Sequence, residues 1–232
     1  MSSAVHNAGM RPGTIVLLHS PLTTADAWGE LPGRLRTHGL AVLVPRITDD
    51  ESPPYAARYV ARAALEINAA APATPLLLVA HSGAGPLLPA IGAAQRAAHR
   101  LVGGYVFLDA GLPQGGSPNR LDRLEAEMPE ALPPLRELFA AGGVYPDWDP
   151  PAGLEGTLRP RGEAFFTEAL PTAPDWPDAP GGYLRTSDAY DAAARQAELR
   201  GWPVLRRDLG HFPGHEHPAE TTSALLDLID RI

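Results

Sequence analysis

The sequence predicts an α/β protein: a mostly parallel sheet of about six strands flanked by helices, with a small lid inserted before the penultimate strand. Three observations predict it. Short, wholly apolar runs alternate with segments of helical periodicity, the pattern of a parallel sheet covered on both faces. The 232 residues fit one domain of this type. Between 112 and 180 the alternation stops, in a stretch that holds half of the 26 prolines.

The elements follow in order. Thr14-Ile15-Val16-Leu17-Leu18 reads as a buried strand. Trp28 to His38 reads as a helix ended by Gly39. Leu40-Ala41-Val42-Leu43-Val44 is the next strand, stopped by Pro45. Pro54 to Ala71 carries Tyr59, Ala63, Leu65 and Ile67 at helical spacing, with proline at the start where a helix tolerates it. Pro75 to Ala80 is the third strand and Gly85 to Arg100 the helix after it. Gly104 to Asp109 is the fourth strand, and Gly182 to Thr186 and Pro203 to Arg207 are weaker strands. Thr221 to Ile232 closes the chain as an amphipathic helix, with Leu225, Leu226, Leu228 and Ile229 turned inward. The segment 112–180 also contains Phe139, Trp148, Phe165, Phe166 and Trp176. So long a structureless loop is improbable in a compact domain, and the aromatics give it apolar surface to bury. It reads as a lid folded over one edge of the sheet, with 1–111 and 181–232 forming the core.

Composition narrows the function. The net charge of −8 disfavours phosphate backbones and anionic lipid surfaces, so neither nucleic acid nor membrane is an expected partner. No cysteine is present, which excludes disulfides, thiolate nucleophiles and Cys-ligated zinc. All 19 basic residues are arginine; the lack of lysine excludes Schiff-base chemistry. With the Ala, Gly and Pro enrichment, it reads as the coding bias of a high-GC bacterium. Met1 to Gly13 is polar, so no secretory signal is expected and the cytoplasm is the expected location.

The chemistry concentrates at one turn. Leu76-Leu77-Leu78-Val79-Ala80 runs into His81-Ser82-Gly83-Ala84-Gly85, and a helix follows. A serine at the tip of such a strand-turn-helix adopts a strained backbone, and small residues two before and two after it (Ala80 and Ala84) relieve crowding. Its hydroxyl then stands at the carboxyl ends of the strands, where open α/β sheets bind ligands. The Gly83 N–H, in the first turn of the helix, can face a developing oxyanion. The plain alternative is a serine helix cap; the strand before and the helix after favour the nucleophile.

At this point the chain resembles the α/β-hydrolase superfamily over nearly its whole length, and within it the small lidded group of plant-type methyl esterases and hydroxynitrile lyases. The matching pieces are Leu17-Leu18-His19-Ser20 with Trp28 beyond; Val79-Ala80-His81-Ser82-Gly83; Val106-Phe107-Leu108-Asp109-Ala110-Gly111-Leu112-Pro113; and Leu209-Gly210-His211-Phe212. The resemblance implies an α/β-hydrolase fold in which these are the oxyanion loop, the nucleophile, the strand leading into the lid and the histidine loop.

His211 stands where the fold's order of Ser, acid, His requires the base. His215, Glu216 and His217 lie nearby, but without a wider ligand pattern they read as a solvated loop, not a zinc site. His81 reads as a packing residue. The resemblance puts the acid after the strand that follows the lid, which makes Asp188 the first choice. Asp191 is a neighbour that can instead cap a helix. Some members put the acid at the end of the strand before the lid, which is Asp109. The plain reading of Asp109 is a structural carboxylate tying the base of the lid to backbone N–H groups.

The oxyanion loop departs from the pattern. The position that donates its N–H in the family is Pro21, and proline has none. Leu22 N–H is the favoured replacement; a hydroxyl of Ser20, Thr23 or Thr24 is another; a third reading is that no acyl tetrahedral intermediate forms. The expected function is hydrolysis of a carboxylic ester or thioester of a small, largely apolar substrate. Ser82, His211 and Asp188 or Asp109 form the triad, Gly83, Leu22 and Thr23 line the oxyanion site, and neither metal nor organic cofactor is implied. A lyase, cyclase or isomerase on the same scaffold, in bacterial secondary metabolism, is the alternative. A binding protein that has lost turnover comes third.

Overall fold

Strands that are apolar at every position need cover on both faces, and the chain supplies it. The computed structural model describes residues 11–116, 118–172 and 175–232. Most of the polar start, residues 1–10, lies outside them. The strands are β1 (Thr14–Leu18), β2 (Val42–Leu43), β3 (Leu76–Ser82), β4 (Val102–Ala110), β5 (Gly181–Arg185) and β6 (Val204–Arg206). They form one six-stranded sheet in the order β2-β1-β3-β4-β5-β6, and every neighbouring pair is parallel. The helices are α1 (Leu31–Thr37), α2 (Tyr55–Ala70), α3 (Leu88–Ala97), α4 (Arg120–Glu127), α5 (Leu132–Ala140), α6 (Glu163–Thr167), α7 (Asp191–Leu199), α8 (Pro213–Glu216) and α9 (Pro218–Ile229).

Because strand side chains alternate, each strand serves two cores. Val16, Leu78, Ala80, Tyr105 and Phe107 pack with Tyr59 and Ile67 of α2, Ile91 of α3 and Ala194 of α7. Ile15, Leu17, Leu77, Val79, Val106 and Leu108 pack on the other face with Leu31 and Leu35 of α1 and Leu225 and Leu228 of α9. Cutting one such fully buried leucine to alanine costs about 2–5 kcal/mol.

Three differences from expectation bear on the packing. The edge strand pairs only over Val42–Leu43. The helix read over 28–38 is two pieces: a 3-10 turn at Ala25–Trp28, then α1. Gly29 separates them with φ +51°, and a β-carbon there would lie 2.7 Å from the His215 Cα. Leu65, grouped with the inward residues, is 59% exposed. Two residues from Ile67 is half a turn away on a helix, so the buried stripe is Ala56, Tyr59, Ala63 and Ile67.

The chain leaves β1 toward β2 on one side and then crosses to β3 on the other. The carboxyl ends of β1 and β3 therefore lie side by side at a point where the winding reverses, the position where such sheets place their sites.

Helices α4, α5 and α6 lie between β4 and β5 in the chain. Leu135, Phe139, Phe165 and Phe166 form a separate apolar cluster, with Leu22 and Tyr55 packed at its margin. Two contacts bind this segment to the core. The Glu168 carboxylate accepts the backbone N–H groups of Tyr55 and Ala56 at 2.6 and 2.7 Å. It thereby caps the electropositive start of α2, which Pro54 leaves without a side-chain cap. The stretch 157–159 runs antiparallel to loop 22–24. Thr24 N–H donates to Thr157 O and Arg159 N–H to Leu22 O, both at 2.8 Å, around a bridge between Thr23 and Leu158. The aromatics of the segment do not all gather there: Trp176 packs edge-on to Tyr105, Phe107 and Trp202, over the sheet. No helix among the described residues is long and apolar enough to cross a membrane.

Candidate active site

Ser82 is the last residue of β3 and holds φ +54°, a left-handed conformation that costs a side-chain-bearing residue about 1–2 kcal/mol. The turn is pressed against the end of β4. A β-carbon at Gly85 would come within 2.1 Å of Gly111 O, so only glycine allows the chain to pass so close.

Ser82 and His211 meet. The His211 Nε2 lies 3.1 Å from Ser82 Oγ, and its Nδ1 lies 2.9 Å from Asp109 Oδ2. Asp109 is fully buried. Its Oδ1 accepts the backbone N–H groups of Thr186 and Ser187 at 2.8 and 2.9 Å, and its Oδ2 accepts the Ser187 hydroxyl. Burial pushes the carboxyl upward, but the hydrogen bond and charge of His211 and the donors at Ser187 and Thr186 outweigh it, leaving its pKa below the ordinary aspartate value. Asp109 thus ties the β5 loop to β4 and also holds the imidazole.

The first-choice acid, Asp188, is not at the site. Its side chain is 89% exposed and pairs with Arg185. Arg185, at the end of β5, draws the carboxylates of Asp188, Asp191 and Asp208 to itself, away from His211. Asp191 begins α7 and accepts from Arg185 Nε at 2.7 Å.

Two rings hold His211. Tyr190 stacks on it, with centroids 5.2 Å apart and planes 6° from parallel, and its hydroxyl lies 3.2 Å from Ser82 Oγ. The second is His81, buried, with its ring centroid 4.7 Å from that of His211 and its Nε2–H donating to the His211 carbonyl at 2.7 Å. Burial, then the neighbouring His211, pushes the His81 pKa down to about 3; it is a neutral donor that fixes the backbone of the base. Sequence reasoning read the 187–191 loop only for carboxylates and missed Tyr190. A tyrosine two residues past the carboxylate first favoured as the acid was its only signal.

Both oxyanion candidates of the β1–α1 loop are engaged elsewhere. Leu22 N–H donates to Ser20 Oγ at 3.2 Å. Thr23 gives its N–H and its hydroxyl to Ser20 O at 3.0 and 3.2 Å. Thr24 N–H goes to Thr157. What remains is Ser20 itself. Its hydroxyl oxygen accepts from Leu22, no hydrogen bond among the described residues uses its proton, and a β-carbon on Gly83 would sit 3.2 Å from that oxygen. Gly83 N–H makes no backbone hydrogen bond among the described residues. Ser20, Ser82, Gly83, Tyr190 and His211 line one cavity of about 220 Å³, whose apolar lining includes Leu22, Leu135, Trp148, Phe166 and Phe212. A larger hollow of about 460 Å³, walled by prolines, Trp176 and Trp202, contains none of Ser82, His211 and Asp109. His215 Nε2 bonds to Ala152 O at 2.9 Å, and no three His, Asp or Glu among the described residues are grouped to hold a metal ion.

A hydrogen-bonded serine–histidine–aspartate row at the carboxyl ends of a parallel sheet defines a class, and the comparisons give the same one. The family model described as "Alpha/beta hydrolase family" matches residues 15–224; the chain belongs to that family and is a hydrolase. A search of the curated proteins finds no match. Among solved structures, the chain is similar to an extracellular alpha/beta-hydrolase from a Paenibacillus species, described as sharing structural and functional homology with tobacco salicylic acid binding protein 2. The TM-score is 0.73 and the identity 18%, over 94% of this chain and 99% of that one. It is similar to a pyrethroid hydrolase from Sphingobium faniae at TM-score 0.63 and 20% identity, over 94% and 97% of the two chains. It is also similar to tomato methylketone synthase I, crystallised as an H243A variant with β-ketoheptanoate, at TM-score 0.63 and 15% identity, over 94% and 98%. At such identities the likeness is one of fold.

Proposed function

We propose that the protein is a serine esterase or thioesterase for small substrates, and that the row Ser82–His211–Asp109, joined at 3.1 and 2.9 Å, is its catalytic triad. His211 Nε2 takes the Ser82 proton as the oxygen attacks the acyl carbon, then gives it to the departing alcohol or thiol; water repeats the sequence to free the acid. Buried Asp109 fixes the tautomer with Nε2 open and stabilises the imidazolium. Gly83 N–H and the Ser20 hydroxyl hold the oxyanion, Ser20 standing in for the N–H that Pro21 lacks. The segment 112–180 acts as a lid whose apolar side chains roof the cavity. The cavity is smaller than the roughly 300–1,000 Å³ of drug-sized sites, which supports a small substrate. A bacterial, cytoplasmic setting is part of the reading and is supported by composition alone.

The test is a fluorophosphonate probe together with p-nitrophenyl esters of short acids. Labelling and turnover in the wild type, both abolished in Ser82→Ala, support the proposal; an unlabelled serine in a folded, ester-inactive protein refutes it. The altered oxyanion loop favours one other reading, an acid–base lyase, cyclase or isomerase that forms no acyl-enzyme. That reading predicts no labelling of Ser82, while His211→Ala still loses activity on the native substrate.

A further inference from the structure

Arg120 is the first residue of α4 and is 9% exposed. It lines the same cavity as Ser82 and His211. Its Nη1 donates to Phe165 O at 2.7 Å, and its guanidinium carbon lies 3.7 Å over the Phe165 ring. Its Nη2 is buried and has no hydrogen-bond partner among the described residues.

Nor does it have a counter-ion there. The two carboxylates whose charge acts on it are engaged by other groups: Glu168 by the N–H groups of Tyr55 and Ala56, and Asp50, through Oδ1, by Arg159 and Arg161. The other neighbours make matters worse. Arg123 and Arg161 are cations, and the start of a helix is its positive end. Burial lowers the Arg120 pKa most, Glu168 and Asp50 oppose it and Arg123 and Arg161 add to it, leaving it at about 9, so it is still charged at neutral pH. A buried, unpaired cation is costly, and in a fold it is most readily retained where a ligand completes it.

We propose that Arg120 receives a carboxylate on the substrate, so that the natural substrate is an ester or thioester bearing a second, anionic carboxyl group: a hemiester of a short dicarboxylic acid or an ester of comparable charge. The apolar walls take the linking carbons, and the guanidinium over Phe165, with a small shift of its buried Nη2 toward the cavity, supplies the paired N–H groups that suit a carboxylate. This rests on the reading of Ser82 as nucleophile for its catalytic meaning, but not for the binding itself.

Two measurements keep the two readings apart. The first compares p-nitrophenyl hemisuccinate with p-nitrophenyl butyrate, nearly equal in length and different in charge. The wild type should favour the hemiester by about 10–100-fold in kcat/KM, the strength of a hydrogen bond to a charged group. Arg120→Met should lose the preference and Arg120→Lys should keep part of it, in proteins whose melting shows them folded. Equal or lower wild-type activity on the hemiester overturns the inference without any mutant. The second is calorimetric binding of monomethyl glutarate to the Ser82→Ala protein, expected to vanish in the Ser82→Ala, Arg120→Met double variant. If no ester is hydrolysed yet this binding depends on Arg120, the anion site stands and the esterase reading falls. If neutral esters turn over through Ser82 and monomethyl glutarate does not bind, the esterase stands and the anion site falls.

Discussion

Ser82 and Asp109, at the ends of neighbouring strands, both hold left-handed backbone, with φ of +54° and +44°. Two side-chain-bearing residues in that region at one site are strain concentrated where the chemistry is proposed. Relaxing it should be measurable. Ser82→Gly should melt at a higher temperature than Ser82→Ala by an amount equivalent to about 1 kcal/mol, because glycine enters this conformation without steric cost and alanine does not. Thermal denaturation of the two inactive variants makes the comparison free of any catalytic effect.

The two aspartates should separate cleanly in kinetics. Asp109→Asn removes the charge that orients and stabilises His211, and kcat on an activated ester should fall on the order of 10⁴-fold. Asp188→Asn loses only an exposed ion pair with Arg185 and should leave kcat and KM unchanged. The opposite ranking would return the acid to the 187–191 loop.

Ser20→Ala should lower kcat by about 10²–10³-fold with little change in KM, as removal of one oxyanion donor does. Ser20→Thr, which keeps a hydroxyl, should recover part of the rate. A backbone donor would be indifferent to the hydroxyl, so equal rates for Ser20→Ala and wild type would dismiss the side-chain role.

Acid stability should report His81. Its folded-state pKa of about 3 lies below the unfolded value of about 6.5. Between these values the unfolded chain binds the extra proton, so stability rises with pH. The contribution is complete above about pH 6.5 and drains away as pH falls toward 3. His81→Gln, which keeps an N–H donor but does not titrate, should show a shallower fall of Tm between pH 6.5 and 4 than the wild type. Parallel slopes would mean that His81 does not titrate as its burial demands.

Much of the fold is legible because it depends on patterns local to each strand. Leu76 to Val79 are apolar at every position, in a short run between Pro75 and the small residues Gly83 to Gly85, which marks an interior strand. That residues 82 and 211 approach each other is written in two short motifs, each set by its own turn. The choice of acid is not local. It depends on Arg185, one strand-end away, collecting three carboxylates, and on Thr186 and Ser187 turning their N–H groups toward Asp109. Neither interaction leaves a periodic trace. The aromatics of 112–180 announced burial but not against what: Phe165 and Phe166 joined a cluster of their own, while Trp176 went to the sheet. Arg120 is invisible in the sequence, since nothing there distinguishes an arginine that will find a carboxylate from one that will not.

The bridge between Thr23 and Leu158 fastens the roof of the cavity to the loop that carries Ser20. While that bridge holds, a roof tied to the proposed oxyanion donor moves with it. A lifting motion that keeps the bridge would pull the Ser20 hydroxyl out of register. Admission of substrate and readiness to react would then alternate, and an enzyme caught open would be an enzyme switched off.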